Sequence, residues 1–475
     1  MIRLLVFVSL LGPAVAQEAS RPNVLWLIAE DMGPELGCLG TPECRTPNLD
    51  RLASKGRLFT RAFTVTPVCS TSRSSLMTGM YATTIGAHNH RSHRGDGFRL
   101  PAGVELLTSH LRREGYTPAN IRHVPEADWR GTGKTDWNFA VDEPAFDTDR
   151  WEDLKEKQPF FAQINFPETH RGGEWNDAHE RIDSPADPGK VAVPPYYPDH
   201  PEVREDWAQY LNSVMALDAK IGLVLDRLEE DGLAERTIVM FFADHGRAMV
   251  RGKQWPYDSG LHVPLIVHWP EGLDRPAGWT EGTRDDRLVA SIDITATTLA
   301  LCGIEIPMLM QGRVFLGPEA APPRRYVFGA RDRCDETVFR IRTVRDARYR
   351  YLRNFYPERP FLQLNRYKEW SYPMLGVMRA LNEAGRLEGP PAVLFAPRRP
   401  KEELYDLEND PHEIRNLAGS EEHARELERL RAALDTWIVE TNDQGRFEEP
   451  PEVIAEWETK MKKAYDAKLK RRAEK

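Results

Sequence analysis

Three stretches of unbroken apolar residues, each running directly into polar side chains able to do chemistry, narrow the folds open to this chain. Asn23-Val24-Leu25-Trp26-Leu27-Ile28 delivers Ala29-Glu30-Asp31-Met32-Gly33. Phe160-Phe161-Ala162-Gln163-Ile164-Asn165-Phe166 ends at Glu168-Thr169-His170, and Thr237-Ile238-Val239-Met240-Phe241-Phe242 ends at Ala243-Asp244-His245-Gly246. Apolar runs of this kind are strands buried on both faces, as in parallel sheets covered by helices. Open α/β sheets bind their ligands at the carboxyl ends of the strands. The polar groups therefore stand where such a fold places a site.

The intervening segments alternate with these strands. Residues 46–56 predict an amphipathic helix capped by Thr46 and closed by Gly56. Residues 57–65 predict a strand, 103–114 a helix stopped by Gly115, and 130–136 a loop punctuated by glycine. Residues 171–203 are rich in Pro, Gly and Asp and predict a long surface excursion of the kind that is often functional. A long helix is expected over 201–231, with Val214, Leu217, Ile221 and Leu225 at helical spacing. A further strand is expected over 263–270 and a helix over 293–302. The texture changes at Pro322-Pro323: residues 326–353 alternate like antiparallel strands about an Arg345-Asp346-Ala347-Arg348 turn, and two charged helices follow over 420–441 and 451–475. The basic last helix reads as a solvated face. The expectation is an α/β catalytic domain over 17–324 and a smaller α+β subdomain over 325–475.

Between the second strand and its following helix lies Cys69-Ser70-Thr71-Ser72-Arg73-Ser74-Ser75-Leu76-Met77-Thr78-Gly79. A helix start presents free N–H groups and the positive end of the dipole, and Arg73 adds full charge one turn in. Such a stretch suits a tetrahedral oxyanion. The 475-residue chain carries a formal charge of −9, which argues against a surface made to coat nucleic acid and leaves anions to local basic pockets.

Residues 1–16 combine Arg3, an apolar run and Ala14-Val15-Ala16, the pattern of a cleaved secretory signal, so an exported protein without a membrane span is expected. Five cysteines leave at least one unpaired in an oxidising space. Cys38 and Cys44 flank a turn-rich segment and are spaced to close a small disulfide loop, whereas Cys302 and Cys334 are too isolated to pair on sequence. Carboxylates gathered at neighbouring strand ends, Glu30-Asp31 and Asp244-His245, suit a hard divalent ion, and calcium tolerates such irregular shells.

These landmarks resemble, in order, those of the type I sulfatases of the alkaline phosphatase superfamily: residues 23–33, Cys69 to Gly79, Gly133-Lys134, Asp244-His245-Gly246, and Lys253 through Tyr257-Asp258-Ser259-Gly260-Leu261-His262-Val263-Pro264. His88-Asn89-His90-Arg91 and Glu403-Leu404-Tyr405-Asp406-Leu407 look most like the N-sulfoglucosamine sulfohydrolase-like glycan sulfatases. The resemblance implies a large mixed sheet sandwiched by helices. It further implies a sulfated saccharide substrate, a bound Ca²⁺, and a Cys69 converted by a formylglycine-generating or sulfatase-maturing enzyme to formylglycine, whose hydrate is the nucleophile. By the same resemblance Arg73 holds the hydrate; Glu30, Asp31, Cys69, Asp244 and His245 surround the metal; Lys134 and Lys253 contact sulfate; and His170 protonates the leaving atom.

The chain departs from the family pattern at Thr71, where proline or alanine is usual, at Glu30, where the metal pair is usually Asp-Asp, and at Asp136, where many members carry a histidine. The last departure leaves His90 or His88 to deprotonate the hydrate. His262, Arg331 and Arg333, with Asp332, Asp335 and Glu336, are candidates for reading the sugar. Two other readings use the same residues: a phosphodiesterase or phosphonate hydrolase of the superfamily, and a glycan-binding protein with an unconverted cysteine.

Overall fold

The computed structural model describes residues 21–125 and 130–474; the expected secretory signal lies outside them. Nine strands form one mixed sheet: β1 (Asn23–Ala29), β2 (Arg57–Phe63), β3 (Thr117–His123), β4 (Thr148–Arg150), β5 (Phe160–Phe166), β6 (Thr237–Ala243), β7 (His262–His268), β8 (Thr283–Asp285) and β9 (Val289–Ala290). Their order is β4-β3-β5-β1-β6-β7-β2-β8, with β9 also paired to β2. β1 lies parallel to β5 and β6, and every residue of β1, β5 and β6 is buried. Helices cover both faces, as these two-sided apolar runs require. At the centre Trp26 packs edge-on against Phe161 and Phe242 and donates its Nε1–H to Thr298 Oγ1 at 3.1 Å.

The register positions the site. Ala29 is paired with both Phe166 and Ala243, so Glu30-Asp31, Pro167 onward and Asp244-His245 leave the sheet side by side. Strands are about 4.8 Å apart, within reach of converging side chains. The Pro201–Glu230 helix matches its expected span closely, and the helix expected at 293–302 runs Ser291–Leu301.

A second, antiparallel sheet follows in the order β10 (Val327–Arg331), β11 (Ile341–Arg345), β12 (Tyr349–Asn354) and β13 (Glu402–Asp406). The Ala424–Glu440 helix packs on it, with Trp437 stacked on Phe328 at 5.3 Å. The Pro451–Ala473 helix is not wholly solvated: Tyr465 stacks on Trp370, and the Arg333 guanidinium lies over Trp457.

Several expectations are corrected. Cys38 and Cys44 are not bonded, and all five cysteines are free thiols; Cys44 is buried with Sγ 3.8 Å from Leu211 O, while the Cys38 N–H is held by Asp50. The Pro47–Lys55 helix is not capped by Thr46, whose hydroxyl donates to Asp50 and accepts from the Gly37 N–H. Its N-terminal N–H groups are met by a residue remote in sequence: Asp218 accepts from Asn48 N at 3.2 Å and Leu49 N at 2.7 Å. Gly56 has φ −118° and is not a left-handed stop; a Cβ there would lie 2.5 Å from the Val267 carbonyl oxygen. The helices Arg366–Ser371 and Pro373–Glu383 carried no sequence expectation.

Candidate active site

Cys69 begins a helix, Cys69–Thr78, in which all ten residues are buried. Of its hydroxyl residues, which look too polar for a core, all but Ser75 are hydrogen-bonded. Ser70 Oγ lies 3.0 Å from His90 Nδ1, Ser72 Oγ 3.0 Å from Thr64 Oγ1, and Thr71 Oγ1 2.6 Å from Thr66 Oγ1. Thr71 also donates to Val68 O, so its hydroxyl faces the preceding loop. Burying the bonded groups is tolerable because each is paired.

The Cys69 Sγ sits 3.1 Å from His245 Nε2 and 3.6 Å from Asp31 Oδ1. Ligand atoms of Asp31, Cys69, Asp244 and His245 all lie within 4.8 Å of one another, and all four residues are buried. Asp31, at φ 55°, donates its backbone N–H to Asp244 Oδ1 at 2.9 Å. His245 spends Nδ1–H on the Gly246 carbonyl at 2.9 Å, which leaves Nε2 as the atom facing the carboxylates, 3.0 Å from Asp31 Oδ1. Two carboxylates and an imidazole nitrogen with its tautomer already set fit a hard divalent cation.

The cations line up around this set. Lys253 Nζ donates to Asp31 Oδ2 at 2.7 Å, and Arg73 Nε donates to Asp244 Oδ2 at 3.0 Å while Nη1 reaches Asn165 Oδ1. Lys134 Nζ donates to Glu30 Oε2 at 2.8 Å, and Thr132 Oγ1 donates to Glu30 Oε1 at 3.0 Å. Glu30, expected among the metal ligands, is thus turned to Lys134 and Thr132 and stands outside the clustered donor set. His170 Nδ1–H is held by the Arg171 carbonyl at 3.1 Å, and its Nε2 is 3.9 Å from Asp31 Oδ2. Of these groups His170, with its side chain 29% exposed, and Lys134, at 18%, face the opening.

Charge crowding shifts the titrations. Burial works to raise the Asp31 carboxyl, but Lys253, His170 and His245 outweigh it and hold it well below the usual carboxylate range. Burial likewise opposes ionisation of the Cys69 thiol, and Lys134 and Lys253 overcome it and lower the thiol. Burial would lower His245, yet Asp244, Cys69 and Asp31 raise it well above an ordinary histidine. Burial pushes His170 down to about 4.

The other candidates fall elsewhere. His90 and Asp335 form one wall: His90 Nε2 is 3.8 Å from Asp335 Oδ1, which neighbours Gln254. His88 is buried with its Nδ1 unbonded. Arg331 is buried against Trp255 and Phe339, and Arg333 is tied to Glu449 and to the His90 and Asp335 carbonyls. Asp332 pairs with Arg342 and Glu336 with the Arg366 N–H. Each of these side chains has a protein partner, while Arg331 Nε and Nη1, Asp332 Oδ2 and Glu336 Oε2 are buried without one. His262 stacks on Phe63 and donates Nε2–H to the Thr60 carbonyl at 2.9 Å, in a cleft lined by none of the clustered residues. Asn165 and Thr132, which hold Arg73 and Glu30, were not anticipated; a fully buried amide within the apolar run of β5 is the signal that marks Asn165.

A nine-stranded mixed sheet with this cluster at its strand ends defines a class, and the chain belongs to the sulfatase family, whose model matches residues 22–304. It is a sulfatase. A second model, described as N-sulphoglucosamine sulphohydrolase, C-terminal, matches residues 246–368. The chain is 32% identical over 482 residues to an ulvan-active sulfatase of Formosa agariphila, covering 92% of this chain and 78% of that one. It is 30% identical over 469 residues to human N-sulphoglucosamine sulphohydrolase, covering 89% and 91%. A solved 2-O GAG sulfatase structure superposes with a TM-score of 0.63 at 21% identity over 90% of this chain and 94% of that one, a likeness of fold.

Proposed function

We propose that this protein hydrolyses a sulfate ester or sulfamate on a saccharide, releasing inorganic sulfate, with Cys69 converted to formylglycine as the nucleophilic position. The observation that carries this is the placement of Cys69 Sγ against His245 Nε2 and Asp31 Oδ1, at a helix start ringed by Lys134, Lys253 and Arg73. Relatives named for ulvan and for N-sulphoglucosamine support the saccharide as substrate class.

Asp31, Asp244, His245 and the residue at 69 would hold Ca²⁺. When bound, that ion neutralises sulfate oxygens and polarises the nucleophile. Lys253 and Lys134 are compact ammonium donors already aimed into the cluster, suited to sulfate oxygens on which charge builds. Arg73 acts one step back, fixing the Asp244 carboxylate, and Glu30 fixes the Lys134 ammonium. His170 presents Nε2 to the opening, facing the departing oxygen or nitrogen; burial keeps the imidazole neutral in the free protein, and a bound anion would raise it to carry the proton it passes. His90, anchored to Ser70 one residue after Cys69, is the candidate base for the nucleophile. An exported location and a partner maturation enzyme belong to this reading; among the described residues no helix is long and apolar enough to cross a membrane.

The test is sulfate release from defined O- and N-sulfated oligosaccharides, alongside an aryl phosphodiester, before and after chelation. The reading expects sulfated sugars to turn over, the chelated enzyme to be inactive, and Ca²⁺ to restore it. Faster turnover of the phosphodiester would favour phosphoryl chemistry.

A further inference from the structure

A cleft of about 1060 Å³ opens between the two sheets' domains, walled on one side by residues around Pro34, Arg61 and Tyr196 and on the other by Arg345 and His412. None of the clustered active-site residues lines it. We propose that this cleft is a second binding site, taking an acidic saccharide whose sulfate or carboxylate lodges between Arg61 and Arg345.

The balance of charge in the wall carries the inference. Arg345 is 7% exposed; its Nη1 has no hydrogen-bond partner, and its Nε makes only a 3.5 Å approach to Asp258 Oδ1. Asp258 is already occupied by Arg350 Nη2. Glu413 is shared by Arg350 at 2.9 Å and Arg251 at 3.8 Å. Arg251 and Arg345 of the lining, with Arg350 behind them, therefore share the carboxylates of Asp258 and Glu413, and Arg61, which makes no ion pair among the described residues, adds a further cation to the lining. Burial, and the nearness of Arg350 and Arg61, lower the Arg345 guanidinium below its ordinary range although Asp258 and Glu413 oppose this. A buried guanidinium short of hydrogen bonds beside a second one is costly unless an anion joins them.

The remaining walls suit a sugar better than a bare ion. The cleft is far larger than one oxyanion and within the size of small-ligand sites. Glu35 and Glu408 are held by Arg247 and Arg348, which leaves Glu43 at the mouth as an acceptor for hydroxyls. Val193 and Pro194 supply apolar faces for ring carbons.

The saccharide class rests on the reading under Proposed function, whereas the anion site does not. The experiment is calorimetric titration of the full-length chain carrying Cys69→Ala, which prevents turnover. The probes are a sulfated, uronate-containing tetrasaccharide, its desulfated and carboxyl-reduced counterpart, and sodium sulfate. Apart from binding at the active site, the inference expects one event that Arg61→Ala and Arg345→Met each weaken at least about tenfold, that the uncharged probe lacks, and that sodium sulfate fills only weakly. Arg61 is half-buried and makes no ion pair among the described residues, so Arg61→Ala reads the site even where Arg345→Met fails to fold; in a chain that keeps Cys69 it leaves aryl sulfate turnover unchanged. Wild-type affinity in the folded Arg61→Ala variant overturns the site. Sodium sulfate binding as tightly as the tetrasaccharide overturns the saccharide. Failure of the catalytic reading shows separately, as absent turnover with the Arg61-dependent event intact.

Discussion

Arg73 grips Asp244 through both Nε and Nη2, each 3.0 Å from the same carboxylate oxygen, while neither residue is more than 4% exposed at its side chain. The arginine expected to hold the nucleophile braces the Asp244 carboxylate, with Asn165 fixing its far end. Arg73→Ala leaves a buried carboxylate uncompensated, which costs about 3–5 kcal/mol. Chemical denaturation of Arg73→Ala should show that loss. Arg73→Lys, which keeps the charge but not the fork, should fold and lose turnover by roughly two orders of magnitude. Wild-type turnover in Arg73→Lys would show that the fork is dispensable.

On the proposed function His170 serves the leaving group, so the effect of its removal should depend on what leaves. His170→Ala should slow hydrolysis of a sugar sulfate by roughly a hundredfold or more, as loss of a general acid does. An aryl sulfate, whose phenolate departs without a proton, should be slowed far less. The ratio of kcat/KM values for the two substrates, wild type against variant, is the measurement; an equal loss on both would assign His170 a different task.

Asp218 caps a helix that lies some 170 residues earlier in the chain, accepting from Asn48 N, Leu49 N and Asn48 Nδ2. Asp218→Ala should lower stability by about 1–2 kcal/mol, the value of a lost cap. Activity per folded molecule should not change. Urea midpoints with parallel assays check both.

Glu413 gives the pH dependence of stability a definite sign. Burial and then Asp258 raise its carboxyl to about 7, against the opposing pull of Arg350 and Arg251. Its unfolded value is the ordinary 4.5, so the folded protein binds the extra proton between those limits. That contribution is complete below the unfolded value and is lost as pH rises toward 7. Glu413→Gln, which cannot ionise, should show a flatter thermal midpoint between pH 5 and 7 than the wild type. Parallel profiles would assign the dependence to other groups.

Where the sequence was informative, the information was local. Apolar runs ending in Glu30-Asp31 and Asp244-His245 announced buried strands with a site at their ends, and the shared register of Ala29, Phe166 and Ala243 brings those ends together. What stayed hidden depended on contacts remote in sequence. The spacing of Cys38 and Cys44 suggested a bridge, but Cys44 is directed to Leu211, in a helix that no local pattern ties to it. Glu30 carries the right chemistry for a metal, yet Lys134 and Thr132, about a hundred residues on, claim both of its oxygens. The charged residues 331–336 read as a ligand surface because their partners, Glu449, Arg342 and Arg366, are supplied by distant segments.

The central claim is that Cys69 is the nucleophilic position in its oxidised form. In the fold the Thr71 hydroxyl faces Thr66 and the Val68 carbonyl. Peptide mass spectrometry across residues 69–79, on protein matured in its native background, measures the claim directly. The account predicts the aldehyde mass at residue 69 and an aldehyde-reactive peptide. An intact thiol that alkylates quantitatively, in protein that still releases sulfate, would contradict it.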